Sequence, residues 1–386
     1  MTAMAILVLF HLHANAQPVV SVSPPIPSLM HGAVAWADYN GDNRQDLLIC
    51  GEDSSGARRT YLMQNNGTSL VQDLTQSLVQ VSNGDAAFGD IDADGDQDLV
   101  ITGETSPRHP VTNVYRNVGG LFTLLPTPTL PGLTMGRTVM SDLDGDNDLD
   151  IFLTGYNVME GFVGMIARNN GAGVFNSVLD SLFMTREWTS VGIGDYDQDG
   201  LPDIAYADIS PQLSEGLRAV VLHNDGGLHF SEAIHFIPGF YSGSLDFGDS
   251  DGDGDLDLLV SGMGEGPITA LYKYEAGQFQ LSWQSPTPLG LGEARFTDFN
   301  SDGLLDFLAC GRTSSTVQAI AYKQVVGSFI PVQGPSGMPR LYHARLAWGD
   351  WNNDGHPDFA ITGQGDDDLP ASYIATWNTS LEGFEF

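Results

Sequence analysis

The chain has 386 residues, with 15 lysines and arginines against 49 acidic residues and a formal net charge of −34. That balance leaves no basic footprint for nucleic-acid phosphates and no attraction to anionic membrane surfaces. A hydrophobic fraction of 42% excludes a disordered chain, and two cysteines, Cys50 and Cys310, exclude a disulfide scaffold.

The N-terminus carries a short apolar run, Ala5-Ile6-Leu7-Val8-Leu9-Phe10, followed by Ala14-Asn15-Ala16-Gln17. This reads as a signal peptide over residues 1–16, cleaved after Ala16, although only the α-amino group supplies charge ahead of it. Export to the cell surface or medium is therefore expected. No apolar run reaches the ~18–20 residues of a membrane-spanning helix. Val19-Val20-Ser21-Val22-Ser23 reads as a strand, followed by a proline-rich connector.

An acidic loop then recurs seven times. Its oxygen donors at positions 1, 3, 5 and 9 are Asp38, Asn40, Asp42 and Asp46; Asp90, Asp92, Asp94 and Asp98; Asp142, Asp144, Asp146 and Asp150; Asp195, Asp197, Asp199 and Asp203; Asp249, Asp251, Asp253 and Asp257; Asp298, Asn300, Asp302 and Asp306; and Asp350, Asn352, Asp354 and Asp358. The first aspartates are spaced by 52, 52, 53, 54, 49 and 52 residues, so one supersecondary unit is repeated. Each unit runs in the same order. A strand ends in a step such as Phe88-Gly89-Asp90, and the acidic loop follows. An apolar strand such as Leu258-Leu259-Val260-Ser261-Gly262 comes next, then a third strand such as Val114-Tyr115-Arg116-Asn117. An Asn/Gly turn leads to a last strand marked by Phe122, Phe175, Phe230, Phe279 or Phe329. Four antiparallel strands per unit, without amphipathic helical periods, predict an all-β seven-bladed β-propeller over residues 17–386.

Close-set aspartates repel one another unless a cation cancels them. Oxygen-only donors favour Ca²⁺ over Zn²⁺ or Cu²⁺, and Mg²⁺ prefers to keep its waters. Position 6 is glycine in five loops and asparagine in two (Asn43, Asn147), residues that tolerate the left-handed conformation a wrapping loop needs. Position 7 admits Arg44, Leu201 and His356 and so would offer its backbone carbonyl. Asp at position 9 has two oxygens to offer for bidentate binding. The start resembles an EF-hand loop, but position 12 is an apolar or small strand residue (Ile101, Val260) or Tyr206 where an EF-hand needs Glu. Up to seven Ca²⁺ are expected. They would bring the net charge from −34 to −20, and at free Ca²⁺ ten times Kd each would add roughly 1.4 kcal/mol to stability.

The repeat Phe-Gly-Asp-x-Asp-x-Asp-Gly-Asp-x-Asp-Leu-Val-x-x-Gly, followed by Tyr-Arg-Asn-x-Gly-Gly-x-Phe, resembles the FG-GAP/VCBS repeat of α-integrin heads and secreted bacterial propellers. The resemblance implies a seven-bladed propeller with Ca²⁺ in the A–B loops of one face. Integrin propellers carry the cation motif in only some blades, whereas all seven units carry it here. A bacterial-type propeller, or one like the fungal sugar-binding lectins of this fold, is therefore the nearer likeness.

Several expectations follow. Ring closure is open at this stage: Phe384-Glu385-Phe386 falls where a fourth strand begins and stops short, and residues 19–23 align with the fourth strand of other units. Cys50 and Cys310 share one offset, in units one and six, and are expected to be buried free thiols. The histidines show no metal spacing, and no nucleophile elbow or zinc-protease motif is present. A ligand site belongs on the face opposite the acidic loops, among the B–C and D–A connections, one of which carries Arg58 and Arg59; Trp188, Tyr241 and Tyr342 either line its rim or pack between blades. The expected function is a non-catalytic, monomeric binding or adhesion scaffold for a glycan or an extracellular protein. The alternatives are a carbohydrate-active enzyme of the polysaccharide-lyase kind and a purely structural module of a longer surface protein. A Lys/Arg/Tyr/His cluster converging in the central channel would favour the enzyme.

Overall fold

The computed structural model describes residues 25–127, 129–178, 189–209, 216–233, 237–325, 327–332 and 337–386. The expected signal peptide, the strand over residues 19–23 and Trp188 lie outside them. Blade 1 is β1 to β4 (Met30–Ala37, Asp46–Glu52, Arg58–Asn65, Leu70–Gln72). Blade 2 is β5 to β8 (Ala86–Gly89, Asp98–Ser106, His109–Val118, Leu121–Leu124). Blade 3 is β9 to β12 (Thr138–Ser141, Asp150–Asn157, Gly161–Arg168, Asn176–Val178), and blade 4 is β13 to β16 (Ser190–Gly194, Asp203–Ile209, Leu217–Gly226, His229–Glu232). Blade 5 is β17 to β20 (Tyr241–Gly248, Asp257–Met263, Pro267–Glu275, Gln278–Gln284). Blade 6 is β21 to β24 (Ala294–Thr297, Asp306–Arg312, Val317–Val325, Ser328–Val332), and blade 7 is β25 to β28 (Tyr342–Gly349, Asp358–Gln364, Pro370–Asn378, Gly383–Glu385). Each blade is one four-stranded antiparallel sheet in sequence order, and no helix occurs among the described residues. This is the all-β propeller that the repeat predicts.

The burial of each strand follows from its radial place. First strands touch first strands of neighbouring blades (β1 with β5 and β25, β5 with β9, β17 with β21), so they line the channel. Second strands are covered on both faces by neighbouring blades and are buried almost end to end, as in Asp46–Glu52 and Asp358–Gln364. That is why they read as unbroken apolar runs rather than alternating ones. Fourth strands form the rim and are largely exposed, as in Leu121–Leu124.

The core sits between blades. Leu48 and Cys50 of blade 1 pack with Leu99 and Ile101 of blade 2, and Val34 and Leu47 of blade 1 pack with Trp351 and Ile374 of blade 7. The last contact closes the ring, helped by Trp36 Nε1 donating to Ala347 O at 3.2 Å and Leu29 N donating to Ser372 Oγ at 3.1 Å. The C-terminal segment does not stop short of a strand. β28 pairs with β27 through Thr376–Glu385, Trp377–Phe384 and Asn378–Gly383. Phe384 is fully buried against Phe299, Phe359 and Trp377, which anchors this three-residue strand. Cys50 and Cys310 are buried free thiols.

Candidate metal centres and the central channel

All seven acidic loops join the first and second strands of their blade, on one face of the disc. Each is shaped by its own first aspartate. The Asp90 carboxylate accepts the amides of Asp94 (3.1 Å) and Gly95 (2.9 Å), and Asp350 accepts those of Asp354 (3.1 Å) and Gly355 (2.9 Å). The position-5 carboxylate accepts the amide of position 7 in every loop, as Asp199 does from Leu201 at 2.9 Å. Position 6 takes a positive φ throughout, including Asn43 (62°) and Asn147 (69°), as its residue types predict. Position 4 does so too, at Ala93, Gln198, Ser301 and Asn353 among others. Glycine (Gly41, Gly145, Gly252) or asparagine (Asn353) suits that region in four loops, whereas nothing in the residue type announces it at Ala93, Gln198 and Ser301.

Position 9 has a structural role of its own. Its aspartates are all buried, and one oxygen of each accepts the amide of a third-strand residue or the residue that follows: Asn65 to Asp46 (2.7 Å), Asn117 to Asp98 (2.6 Å), Asn224 to Asp203 (2.8 Å), Trp377 to Asp358 (3.0 Å). In blades 2 to 5 the other oxygen accepts the position-2 amide, as in Ile91 to Asp98 at 2.9 Å. In these four blades both oxygens already accept an amide, and in every blade this carboxylate staples the loop to the third strand or to the residue after it. Burial pushes these acids up, Asp98, Asp150 and Asp203 to about 6, Asp46 and Asp306 to about 7, and Asp358 to about 8.

The loops fit a hard cation. Ligand oxygens of Asp90, Asp92 and Asp98 lie within 4.8 Å of one another, as do those of Asp142, Asp144 and Asp146, of Asp195, Asp197 and Asp199, and of Asp249, Asp251 and Asp253. Loops 1, 6 and 7 have Asn40, Asn300 and Asn352 at position 3. Buried oxygens without a hydrogen-bond donor occur at Asp92 Oδ1, Asp144 Oδ1, Asp197 Oδ1 and Asp358 Oδ2. A buried, unpaired carboxylate oxygen is costly unless a cation meets it.

Sequence reasoning passed over a second feature of these loops. The residue preceding the one that caps position 9 is basic in blades 2 to 6, and it reaches the loop of its own blade. Arg116 Nε lies 2.8 Å from Asp92, Lys273 Nζ 2.6 Å from Asp251 and Lys323 Nζ 3.1 Å from Asp302. Arg168 pairs with Asp144, and His223 lies against Asp197 and Asp203. The signal was present in the Tyr-Arg-Asn step of the repeat.

The capping residue also joins neighbouring blades. The side-chain amides of Asn117, Asn169, Asn224 and Gln324 donate to the position-2 carbonyl of the preceding loop: Tyr39, Ile91, Leu143 and Ser250, at 2.6 to 2.8 Å. Asn65 does the same to Trp351 of blade 7 at 2.6 Å. Blades 5 and 7 replace the amide by ring contacts, Tyr274 on Tyr196 (4.8 Å) and Trp377 on Phe299 (4.7 Å).

The channel holds an ionic cluster. Glu293 is fully buried among three guanidinium groups, with Arg137 at 2.5 Å, Arg345 at 3.2 Å and Arg295 at 3.6 Å, and it accepts the Leu346 amide at 3.0 Å. Burial raises its carboxyl, but the three arginines outweigh this and hold it at about 2. Arg295 also pairs with Asp246 at 3.1 Å, and Asp85 accepts the Thr138 amide at 2.9 Å. These six side chains border a cavity of ≈ 310 Å³. Basic groups thus do converge in the channel, with carboxylates interleaved among them. At its mouth, on the face away from the acidic loops, His31, Asn83, Met135, Leu291 and His343 have positive φ. Backbone bonds link neighbours there, Met135 N to Asn83 O at 2.7 Å for example.

On that same face, the ligand-site candidates have local partners. Arg59 pairs with Asp53 (2.9 Å), Arg58 lies 3.6 Å from Glu104, and the Tyr342 hydroxyl donates to Asp368 (2.5 Å) under the Arg312 guanidinium. Tyr241 is half-buried. The wider feature is a groove of ≈ 650 Å³ between blades 6 and 7, bordered by Met338, Arg340, Asp366, Leu369, Tyr373 and Phe386.

Among known proteins, a family described as FG-GAP-like repeat matches residues 38–101, 90–153, 142–206, 195–260 and 298–361. Each window runs from one acidic loop into the second strand of the next blade. No curated protein matches the chain. Solved structures that align include the lectin BP39L from Burkholderia pseudomallei, at 13% identity, 90% of this chain, 96% of that chain and a TM-score of 0.59. YjhT aligns at 10% identity, 81% of this chain, 99% of that chain and a TM-score of 0.49. At 13% identity the likeness to BP39L is one of fold.

Proposed function

We propose, on the premise that this chain belongs to the FG-GAP-like repeat family, that it is an exported, non-catalytic binding scaffold fastened by up to seven Ca²⁺, with its ligand held on the opposite face. The observation that carries the calcium reading is the set of buried, donor-free carboxylate oxygens that these loops contain at Asp92, Asp144, Asp197 and Asp358. In each loop the donors at positions 1, 3 and 5, the carbonyl of position 7 and the remaining lone pairs of position 9 would hold the ion. Bound there, Ca²⁺ supplies the positive charge that lets the carboxylates stay ionised so close together. The basic third-strand side chains hold that place until a divalent ion displaces them.

The opposite face offers what a glycan or a protein loop needs. The groove between blades 6 and 7 combines an exposed Tyr373 ring, the exposed Leu369 and the Arg340–Asp366 pair at 2.7 Å. Sugars stack on such rings and bond to such planar polar groups. The fold shared with a lectin supports the glycan side of this reading. The channel arginines, matched by Glu293 and Asp246, favour a structural hub over a catalytic centre.

A glycan and extracellular-matrix array, run with and without Ca²⁺, tests the proposal. Ca²⁺-dependent binding that is lost in Tyr373→Ala and Arg340→Ala variants is expected. Binding that persists after chelation has unfolded the protein would contradict the scaffold, and binding to nothing would shift the assignment to a structural module.

A further inference from the structure

We propose that the loop of blade 4 is a transition-metal site, built from Asp197, Asp203 and His223, and that it takes a borderline divalent ion of the Zn²⁺/Co²⁺ class. The proposal deepens the calcium reading of this loop and rests on it for the remaining six.

An imidazole sets this loop apart from neighbours whose clusters of similar spacing are all carboxylate. His223 Nδ1 lies 3.4 Å from Asp197 Oδ2 and 3.3 Å from Asp203 Oδ1, and all three groups offer ligand atoms within 4.8 Å of one another. Metal–ligand bonds of about 2.0–2.1 Å put neighbouring atoms of a tetrahedral set about 3.4 Å apart. Asp203 is fully buried, and both His223 Nδ1 and Asp197 Oδ1 are buried atoms with no hydrogen-bond partner. Asp195 and Asp199 stand beside Asp197 within the same loop, so further oxygen ligands are at hand.

The ring position taken by His223 makes the argument specific. In blades 2, 3, 5 and 6 the equivalent residue is Arg116, Arg168, Lys273 or Lys323, each pairing with a loop aspartate. Those side chains carry a fixed charge and no lone pair, so they compete with a cation and cannot ligate it. Imidazole offers a lone pair on whichever nitrogen is unprotonated. Its softer nitrogen shifts preference from Ca²⁺, which takes oxygen, towards Zn²⁺ and its neighbours. The competing account is that His223 is merely a fifth cation.

The two accounts separate experimentally with Co²⁺ as the probe, added to the whole protein in excess Ca²⁺. One equivalent of Co²⁺ is expected to be retained, with ligand-field absorption and a paramagnetically shifted imidazole proton in the NMR spectrum. Loss of an outer-shell partner alone weakens metal sites about 10–100-fold, so losing a direct ligand in His223→Gln should cost at least about tenfold in Co²⁺ affinity. His223→Lys, which keeps the charge and recreates blades 5 and 6, should lose Co²⁺ equally. Circular dichroism would show that both variants fold. Co²⁺ affinity and spectra unchanged in both variants, or no Co²⁺ retained by the parent protein, would overturn the proposal. A separate Ca²⁺ titration of the parent protein reports on the calcium reading independently of either result.

Discussion

Two buried carboxyl types respond to pH in opposite directions. Glu293 is held at about 2, below its ordinary 4.5, so its contribution is complete above about pH 4.5 and is lost as pH falls towards 2. Glu293→Gln should remove that acid limb. Because it leaves three arginines short of their partner, it should also cost about 3–5 kcal/mol at neutral pH, read from urea denaturation. The position-9 aspartates of blades 1 to 4, 6 and 7 are raised to between about 6 and 8. Without metal, their neutral form favours the fold below about pH 4, and that advantage disappears as pH rises through 6 to 8. Dialysed, metal-free protein should therefore be more stable at pH 5 than at pH 8, and added Ca²⁺ should reverse the order. Equal metal-free stability at the two pH values would contradict the burial of these acids.

The loop and the third strand together make the unit of construction. Asn117 donates to Tyr39 O and Gln97 O, while its amide caps Asp98. Asn117→Ala leaves two carbonyls without these donors and should cost about 1–3 kcal/mol, measurable by denaturation and by faster amide exchange in the loop of blade 1. At this scale much was legible in the sequence, because the donors at positions 1, 3, 5 and 9 are spelled out in residue types and the second strands are unbroken apolar runs. The left-handed turn at position 4 is written in the residue type at Gly41, Gly145, Gly252 and Asn353, but not at Ala93, Gln198 or Ser301. It is imposed by the first carboxylate drawing in two later amides, so Ala93 and Gln198 accept it against their own preference. The channel cluster was hidden for a different reason. The residue five places before the first aspartate is Ala33, Asp85, Arg137, Ser190, Ser244, Glu293 or Arg345. Complementarity between Arg137 and Glu293 exists only after blades 3 and 6 face each other across the closed ring.

For the whole disc, the calcium reading proposed above is tested by chelation. With about 1.4 kcal/mol per site at tenfold saturation, seven sites approach the entire stability of an ordinary domain. Chelation should lower the Tm by tens of degrees in a thermal melt followed by circular dichroism; an unchanged melt would dismiss calcium as a structural element. The seam between blades 7 and 1 has a mechanical consequence. Every other pair of neighbouring blades is joined by the polypeptide itself, whereas this pair is held by side-chain contacts such as Asn65 to Trp351, Trp36 to Ala347 and Leu29 to Ser372. Tension on the disc would thus find its weakest link at one known place. A covalent clasp engineered there should raise the force needed to open the ring without touching either face.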